Sequence, residues 1–177
     1  MYKPTSLGYA ILGLLVDPKT GYKIRKIFED TPMSEYSSSP GSIYPALNRL
    51  ESESLIRKEI NPNSGKNNYI ITTLGMSVLK EWCLKQPSST EVREKMDEIM
   101  LRFVFMEFLS DINDVISFLK SLKNHIIDYI SELEDYYENH HLELTLHGQL
   151  ALRQGINMIQ ANLNWVNNTL NKFKTNI

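Results

Sequence analysis

The sequence predicts a mainly α-helical protein of two domains, on three observations. Apolar residues recur at spacings of three and four, the repeat of an amphipathic helix, through most of the 177 residues. Residues 55–72 instead have the turn-rich pattern of a β-hairpin. Pro87-Ser88-Ser89 then marks a boundary, after which no proline occurs. We therefore expect domains at residues 1–86 and 87–177, the second of them all-helical.

Charge is distributed unevenly between these two halves. The whole chain carries a net charge of −2, which argues against a uniformly basic nucleic-acid binder. Residues 1–86 hold 11 Lys and Arg against 8 Asp and Glu, a net charge of +3, whereas residues 87–177 hold 8 against 13, a net charge of −5. The asymmetry indicates that the N-terminal half meets an anionic partner and that the C-terminal half has another task.

The lone cysteine and the lack of long apolar runs limit the possible classes of protein. A single cysteine, Cys83, rules out an intrachain disulfide and a multi-cysteine metal site, which leaves a buried thiol or a redox sensor. No apolar run approaches the roughly 20 residues of a membrane span, and the N-terminus lacks the basic region and long apolar stretch of a signal peptide. We expect a soluble cytoplasmic protein without a cofactor or a membrane partner.

Two helices are expected at the start of the chain. Residues 5–16 carry apolar side chains at helical spacing and end at Asp17-Pro18, because the residue before proline avoids helical geometry. Thr20 is placed to cap a second helix over residues 21–30. The serine-rich residues 31–39 that follow are typical of a loop.

The next segment, Ser39 to Leu50, has the pattern of a helix that enters the major groove of DNA. Proline is tolerated in a first helical turn and is costly further in, so Pro45 requires a start close before it, with Ser39 or Ser42 as N-cap. At about 100° per residue one face is apolar and suited to packing. The opposite face carries small or hydrogen-bonding residues that let a backbone approach DNA, namely Gly41, Pro45, Asn48 and Ser52, flanked by Ser42, Tyr44 and Arg49.

A hairpin and a further helix complete the N-terminal domain. Strands are expected over residues 55–60 and 66–72, joined by the turn-forming residues Asn61-Pro-Asn-Ser-Gly65. A helix over residues 74–85 starts behind Thr73. Three helices followed by a two-stranded wing make a winged helix-turn-helix, which is the predicted N-terminal fold.

The C-terminal domain is expected to be helical throughout. Ser88 and Glu91 have the spacing of a capping box for a helix over residues 90–109, which becomes apolar on nearly every side, as expected for a helix covered all round. Helices over residues 112–139 and 144–174 follow. The last carries a heptad repeat that fits a dimerisation seam, an intrachain antiparallel bundle or both, formed by Leu152, Ile156, Ile159, Leu163, Val166, Leu170 and Phe173.

These segments resemble the PadR family of winged-helix transcription regulators. The likeness centres on Pro40-Gly-Ser-Ile-Tyr-Pro-Ala-Leu47 and extends to Leu7–Leu15, Thr20–Ile24, Leu55-Ile56, Lys66–Tyr69 and Thr72-Thr-Leu-Gly75. Residues 93–174 resemble the longer C-terminal domain of a subgroup shared with virulence-gene activators. The resemblance implies a homodimer held by C-terminal helices, which binds double-stranded DNA at a near-palindromic operator and is released by a small aromatic or hydrophobic effector.

The sequence and the resemblance together give candidate DNA contacts. Arg49 is expected on phosphate or guanine and Asn48 on adenine, unless Asn48 is only a solvated surface amide. Tyr44 either reaches DNA or packs against the preceding loop. The wing departs from the family because only Lys66 is charged at its tip, which predicts weaker non-specific affinity. The full candidate set is Tyr22, Lys23, Ser39, Gly41, Ser42, Tyr44, Pro45, Asn48, Arg49, Lys66 and Asn67.

Effector binding and the competing functions complete the expectations. Apolar surface near Trp82, Phe103 and Trp165 is the candidate effector site, with plain core packing as the alternative. His140-His141 with Glu143 and His147 lacks the metalloprotease spacing, so we expect neither a metal site nor an enzyme. A repressor is the leading interpretation; a transcriptional activator and a winged-helix protein-interaction adaptor are the alternatives.

Overall fold

The protein is described by a computed structural model that covers residues 2–31, 33, 40–60 and 67–175. Its described residues form two compact units that divide between Cys83 and Leu84. The predicted fold class is confirmed: the chain is mainly helical, with one small antiparallel sheet. None of the helices in the described ranges is long and apolar enough to cross a membrane.

The N-terminal unit alternates helices with short strands. Thr5 and Thr20 each cap a helix by accepting a hydrogen bond of 3.2 Å, from the Gly8 and Lys23 amides respectively. These caps satisfy amides that have no intrahelical partner. The elements are α1 (Ser6–Leu14), β1 (Lys19–Thr20), α2 (Gly21–Asp30), α3 (Pro40–Ser52), β2 (Ile56–Ile60), β3 (Asn67–Ile71) and α4 (Thr73–Leu84).

The sheet contains one strand more than the predicted two-stranded wing. β3 lies at its centre and pairs antiparallel with β2 on one side and with β1 on the other, where Lys19 lies opposite Tyr69. The prediction of two strands was therefore incomplete. A two-residue strand has no periodicity to read, and its pairing depends on a partner some 50 residues away in the chain.

The core of the N-terminal unit is formed by side chains from all of its helices and from β2. Each of these apolar side chains contributes about 1.5–3 kcal/mol when it is fully buried. α3 packs against α1 and α2 through the apolar face that the sequence predicted. Apolar side chains exposed by no more than 3% are Ala10, Ile11, Leu12, Leu15, Ile24, Phe28, Ile43, Leu47, Leu50, Leu55, Ile56, Leu79 and Cys83.

The C-terminal unit departs from the prediction at its first helix. Instead of one helix over residues 90–109, the chain forms α5 (Ser89–Glu94) and α6 (Met96–Leu109), broken at Lys95 with φ −144° and ψ 39°. Neither proline nor glycine marks the break in the sequence. α5 does not continue into α6 but packs against the long helix that follows α6, Ile112–His140. The predicted capping box of Ser88 and Glu91 is present and starts α5.

α6 is also less enclosed than the sequence predicted. Val104 is 55% exposed and Phe108 is 63% exposed, so the expectation of a helix covered all round was wrong for the single chain. Apolar periodicity reports which side chains avoid water in the working protein, but it does not say which molecule covers them.

A long helical hairpin completes the C-terminal unit. α7 (Ile112–His140) and α8 (Leu146–Thr175) are joined by a short 3₁₀ turn (His141–Glu143) and pack against each other. Arg153 of α8 pairs with Glu134 of α7 at 2.8 Å. Within the heptad repeat Ile156, Val166 and Leu170 are buried, whereas Leu152, Ile159, Leu163 and Phe173 are half-buried. The repeat thus serves the intrachain bundle, and its use in a dimer stays a prediction.

A buried arginine organises the start of this unit. Arg102 is 1% exposed; its Nη1 donates to the Lys85 carbonyl at 2.9 Å, and its Nη2 lies 3.5 Å from the Glu91 carboxylate. Its guanidinium also lies 5.4 Å from the centre of the Phe118 ring. Burial raises the pKa of Glu91, but hydrogen bonds from Lys85 and Ser88 and the charge of Arg102 outweigh it and hold that pKa below its ordinary value.

Candidate nucleic-acid interface

The face of α3 turned away from the core is the candidate interface. Pro40 begins the helix, where its missing amide proton loses no bond, and Pro45 lies inside it. Pro45 cannot donate to the Gly41 carbonyl, so the first turns of α3 lack one regular hydrogen bond. Exposed residues along this face are Gly41, Tyr44, Pro45, Asn48, Arg49 and Ser52, with Ser42 half-buried beside them.

The C-terminal end of α3 is fixed by a Schellman motif. The Leu55 amide donates to the Leu50 carbonyl and the Ser54 amide donates to the Glu51 carbonyl, both at 2.9 Å. Ser54 has φ 60°, the left-handed conformation that this motif requires and that glycine usually supplies. Leu50 and Leu55 are both buried, as the motif's apolar contact requires.

Thr72 joins this end of α3 to the start of α4. Its hydroxyl lies 2.8 Å from the Ser54 carbonyl, to which it donates, and accepts from the Gly75 amide at 3.0 Å. Thr72 is therefore the N-cap of α4, and the prediction that the helix starts behind Thr73 was one residue late. A Cβ on Gly75 would lie 2.0 Å from the Leu55 carbonyl oxygen, so only glycine fits at this junction.

Gly21 allows two tyrosines to approach the start of α2. A Cβ on Gly21 would lie 3.0 Å from the Tyr44 ring and 3.3 Å from the Tyr69 ring. Tyr44 thus packs against α2 and yet stays 45% exposed. Packing and DNA contact are compatible for this residue, and the contact itself stays a prediction. The start of α2 also presents the exposed side chains of Tyr22 and Lys23 beside α3.

Arg49 has partners within its own chain. Its Nη2 lies 2.9 Å from the Glu53 carboxylate, and its guanidinium lies 4.9 Å from the centre of the Tyr2 ring. The sequence analysis did not identify this pair. Four residues separate Arg49 and Glu53, the spacing at which helix side chains meet, so the pattern was available in the sequence.

The strand β2 carries further cations that the sequence analysis did not select. Lys58 donates to the Glu51 carboxylate at 2.6 Å, and this hydrogen bond raises the pKa of Lys58. Arg57 pairs with Glu59. Together with Arg25, which lies 3.4 Å from Glu29, all three arginines of the N-terminal unit pair with glutamates of the same unit.

Of the remaining predicted DNA contacts, only Asn67 lies within the described residues. Asn67 is exposed at the start of β3, opposite Ile60. Ser39 and Lys66 lie outside the described residues, as does the loop between β2 and β3. Lys19 was not among the predicted DNA contacts, and it is occupied in the fold: its ammonium donates to the Leu14 carbonyl at 2.7 Å at the end of α1, and burial lowers its pKa.

The candidate effector residues fall into both units. Trp82 stacks on Tyr9 in the N-terminal unit, with ring centres 4.3 Å apart and planes within 4°. Phe103 and Trp165 meet edge to face at 5.2 Å in the C-terminal unit, and Phe173 lies 6.5 Å from Phe103. The structure therefore brings Phe103 and Trp165 together into one half-buried aromatic cluster, and Trp82 is part of a separate contact.

The histidines at the end of α7 are tied to the helix. The Nδ1 atoms of His140 and His141 lie 3.0 Å and 3.1 Å from the carbonyls of Tyr136 and Tyr137, and each ring stacks on that tyrosine. Within the described part of the chain, no group of three or more His, Cys, Asp or Glu residues is arranged to hold a metal ion.

Comparison with known protein families gives one match in each unit. Residues 11–81 match the transcriptional regulator PadR-like family, and residues 96–174 match the virulence activator alpha C-terminal domain. No curated protein matches the chain.

Solved structures of PadR-like regulators align with most of the chain. One, from Bacillus cereus, is 26% identical over 97% of this chain and 99% of that one, with a TM-score of 0.44. Bacillus subtilis PadR is 23% identical over 96% of this chain. Its complex with operator DNA is covered to 99% with a TM-score of 0.41, and its complex with p-coumaric acid to 96% with a TM-score of 0.42. By its two matching domains, the chain belongs to the PadR-like transcriptional regulators, in the form that carries a virulence-activator C-terminal domain.

Proposed function

We propose that the chain is a sequence-specific DNA-binding regulator that acts in the cytoplasm as a homodimeric repressor and is released from a near-palindromic operator by a small aromatic or hydrophobic effector. The exposed face of α3 carries this proposal. Gly41, Pro45, Asn48 and Ser52 give it small and hydrogen-bonding side chains without bulky apolar or acidic groups. Such a face lets the helix backbone come close to the base edges of a major groove.

The flanks of α3 supply the contacts that would position it on DNA. Lys23 is an exposed cation at the start of α2, and Tyr44 keeps 45% of its surface free while its ring packs on Gly21. A cation and a phenol beside a recognition helix can bind phosphates and fix the register of the helix. Asn48 would then read a base, most favourably adenine, through its amide.

The C-terminal unit supports the homodimer. Single apolar residues on a surface are ordinary, but both α6 and α8 of this unit expose several large side chains: Val104, Phe108, Leu146, Leu150 and Met158 are each at least 55% exposed. A second copy of the chain would cover them, with the half-buried heptad residues of α8 at the margin. Two α3 helices would then enter successive major grooves roughly 34 Å apart.

An aromatic effector is supported by the cluster of Phe103 and Trp165. Two half-buried rings at an edge-to-face distance of 5.2 Å offer a third ring both stacking and apolar contact. An effector releases DNA only as far as it binds the free conformation better than the DNA-bound one.

The test of DNA binding is fluorescence anisotropy with the full chain and duplex from the intergenic region upstream of its own gene, over a series of salt concentrations. We expect binding that beats scrambled competitor and weakens steeply as salt rises. Asn48→Ala should weaken specific binding about tenfold, whereas Asn157→Ala on α8, an exposed asparagine of the other unit, should leave it unchanged. If the upstream duplex gives no preference over scrambled DNA, random-sequence DNA is the second probe, and failure there rejects the proposal.

The second candidate function, a protein-interaction adaptor, is favoured by the pairing of arginines with glutamates in the N-terminal unit. Cations neutralised in this way attract phosphate weakly. Equal, weak binding to every duplex would support the adaptor. Binding to an operator followed by increased transcription in vitro would support an activator in place of a repressor.

A further inference from the structure

The surroundings of Arg49 carry an inference about base recognition. We propose that Glu53 and Tyr2 hold Arg49 in an orientation in which it reads a guanine instead of binding phosphate, so that both are positioning residues for sequence recognition. The proposal rests on the DNA-binding function proposed above and specifies how its sequence preference arises.

Two contacts on different sides fix the Arg49 guanidinium. The Glu53 carboxylate binds Nη2 at 2.9 Å, and the Tyr2 ring lies against the flat face at 4.9 Å. The Arg49 side chain nevertheless remains 60% exposed, so donors in the plane of the guanidinium are still open to a partner. A guanidinium with one face covered can form further hydrogen bonds only with groups near its own plane.

This arrangement favours a guanine over a phosphate. A phosphate attracts an arginine mainly by charge, and the Glu53 carboxylate at 2.9 Å offsets the positive charge of Arg49 and repels the DNA backbone. A guanine instead offers its O6 and N7 acceptors side by side in the base plane, which match two in-plane N–H groups. Holding the guanidinium still therefore preserves base recognition and weakens sequence-independent attraction.

Both positioning groups are themselves held by the fold. Tyr2 precedes Pro4, which is buried, and Thr5, which caps α1. Glu53 donates its amide to the Arg49 carbonyl at 3.1 Å, immediately before the left-handed Ser54 that ends α3. The Arg49 guanidinium thus lies between a side chain anchored at the start of α1 and a side chain anchored at the end of α3.

The chain provides a matched control on α2. Arg25 and Glu29 are also four residues apart, and Arg25 also faces a tyrosine, Tyr22. The distances are longer, 3.4 Å to the carboxylate and 5.5 Å to the ring centre. Glu29→Gln therefore changes the same charge in the same kind of pair, on the helix that precedes the recognition helix.

The experiment is selection of binding sequences from random duplex DNA by the full chain, followed by anisotropy on the selected duplex, on every single base-pair replacement and on a scrambled duplex. We expect one G·C pair whose replacement weakens wild-type binding roughly tenfold. Arg49→Lys should abolish that preference. Glu53→Ala and Tyr2→Ala should reduce it at least threefold, and Glu53→Ala should also strengthen binding to scrambled DNA. Tyr2→Phe, which keeps the ring, and the control Glu29→Gln should retain the preference.

The outcomes separate this proposal from the function on which it rests. If the wild type enriches a sequence but Glu53→Ala and Tyr2→Ala change affinity equally for every duplex, Arg49 is a phosphate contact, and the positioning role is rejected while DNA binding stands. If the wild type enriches no sequence, the proposed function fails and the role of Glu53 fails with it. Circular dichroism of each variant verifies that these surface substitutions leave the fold intact.

Discussion

The two units of the molecule treat charge and apolar surface in opposite ways. In the N-terminal unit the apolar face of α3 is fully buried, and the arginines lie on the surface beside glutamates. In the C-terminal unit Arg102 is 1% exposed, whereas Phe108 and Leu146 are 63% and 68% exposed. The first unit therefore buries the apolar face of α3 and keeps its arginines at the surface. The second unit exposes large apolar side chains and buries the charge of Arg102 against Lys85 and Glu91.

The largest expected effect concerns the close backbone packing at Gly75 in the N-terminal unit. Gly75→Ala places a Cβ 2.0 Å from the Leu55 carbonyl oxygen, a clash with backbone that cannot move aside, and we expect a loss of about 3 kcal/mol or more in unfolding free energy. The matched control is Gly155→Ala on α8. Nothing lies within 4 Å of its added Cβ, so helix propensity should stabilise the chain by about 0.5–1 kcal/mol.

The two tryptophans allow each unit to be followed separately. Trp82 lies in the N-terminal unit and Trp165 in the C-terminal unit, so a background of Trp165→Phe or Trp82→Phe leaves one reporter. Urea unfolding followed by Trp82 fluorescence should show the loss of stability caused by Gly75→Ala. A Gly75→Ala variant as stable as the wild type would mean that the junction of α3 and α4 is looser than described.

The next effect concerns the buried charge of the second unit. Glu91→Gln removes the carboxylate that faces Arg102, and we expect a loss of roughly 2 kcal/mol, below the usual 3–5 kcal/mol because the Glu91 side chain is 18% exposed. Glu94→Gln changes an exposed glutamate of the same helix and should have little effect. Urea unfolding reported by Trp165 measures both.

Acidification sharpens this prediction. The folded pKa of Glu91 is held below its ordinary value of 4.5, so its carboxylate stabilises the unit at neutral pH. That stabilisation is lost as the pH falls below 4.5 and through the lowered pKa. The stability difference between wild type and Glu91→Gln should therefore narrow on acidification. A constant difference from pH 7 to pH 3 would contradict a stabilising role for the charge of Glu91.

The smallest expected effect is a gain in the first unit. Ser54→Gly removes the strain of a left-handed serine, about 1–2 kcal/mol, against the greater freedom of glycine in the unfolded chain, about 0.4–1 kcal/mol. We expect the unfolding free energy reported by Trp82 fluorescence to rise by about 0.5–1 kcal/mol. Ser52→Gly, at the last residue of α3, replaces a serine of ordinary helical backbone and should instead destabilise the chain by up to about 0.5 kcal/mol. Equal effects of both substitutions would contradict the strain at Ser54.

Local features of the fold were predictable from the sequence because their causes are local. The caps at Thr20 and Ser88 and the apolar face of α3 each depend on residues within a turn or two, and the structure has them where the sequence placed them. The PadR-like resemblance rested on the same local segments. The pair of Arg49 and Glu53 belongs to this class too, since its four-residue spacing was available, although it was not recognised.

Features that depend on distant partners were not predictable. The two-residue β1 exists only because β3 lies beside it, and the break at Lys95 has neither proline nor glycine to announce it. Arg102 lies in a run of apolar residues, and only its contacts with Lys85 and Glu91 explain why a charge is buried there. Likewise, helical periodicity identified the apolar residues of α6 but not the exposure of Phe108.

The hydroxyl of Thr72 has a mechanical consequence. It donates to the Ser54 carbonyl, just after α3, and accepts from the Gly75 amide in the first turn of α4. Gly75 also lets the backbone of α4 lie directly against the Leu55 carbonyl. α4 is also the helix along which the chain leaves the first unit. We expect a rotation of α4 to be passed to the end of α3 through these contacts. Thr72→Val would remove both hydrogen bonds of the hydroxyl and keep a side chain of the same shape, so it would loosen this connection without leaving a cavity.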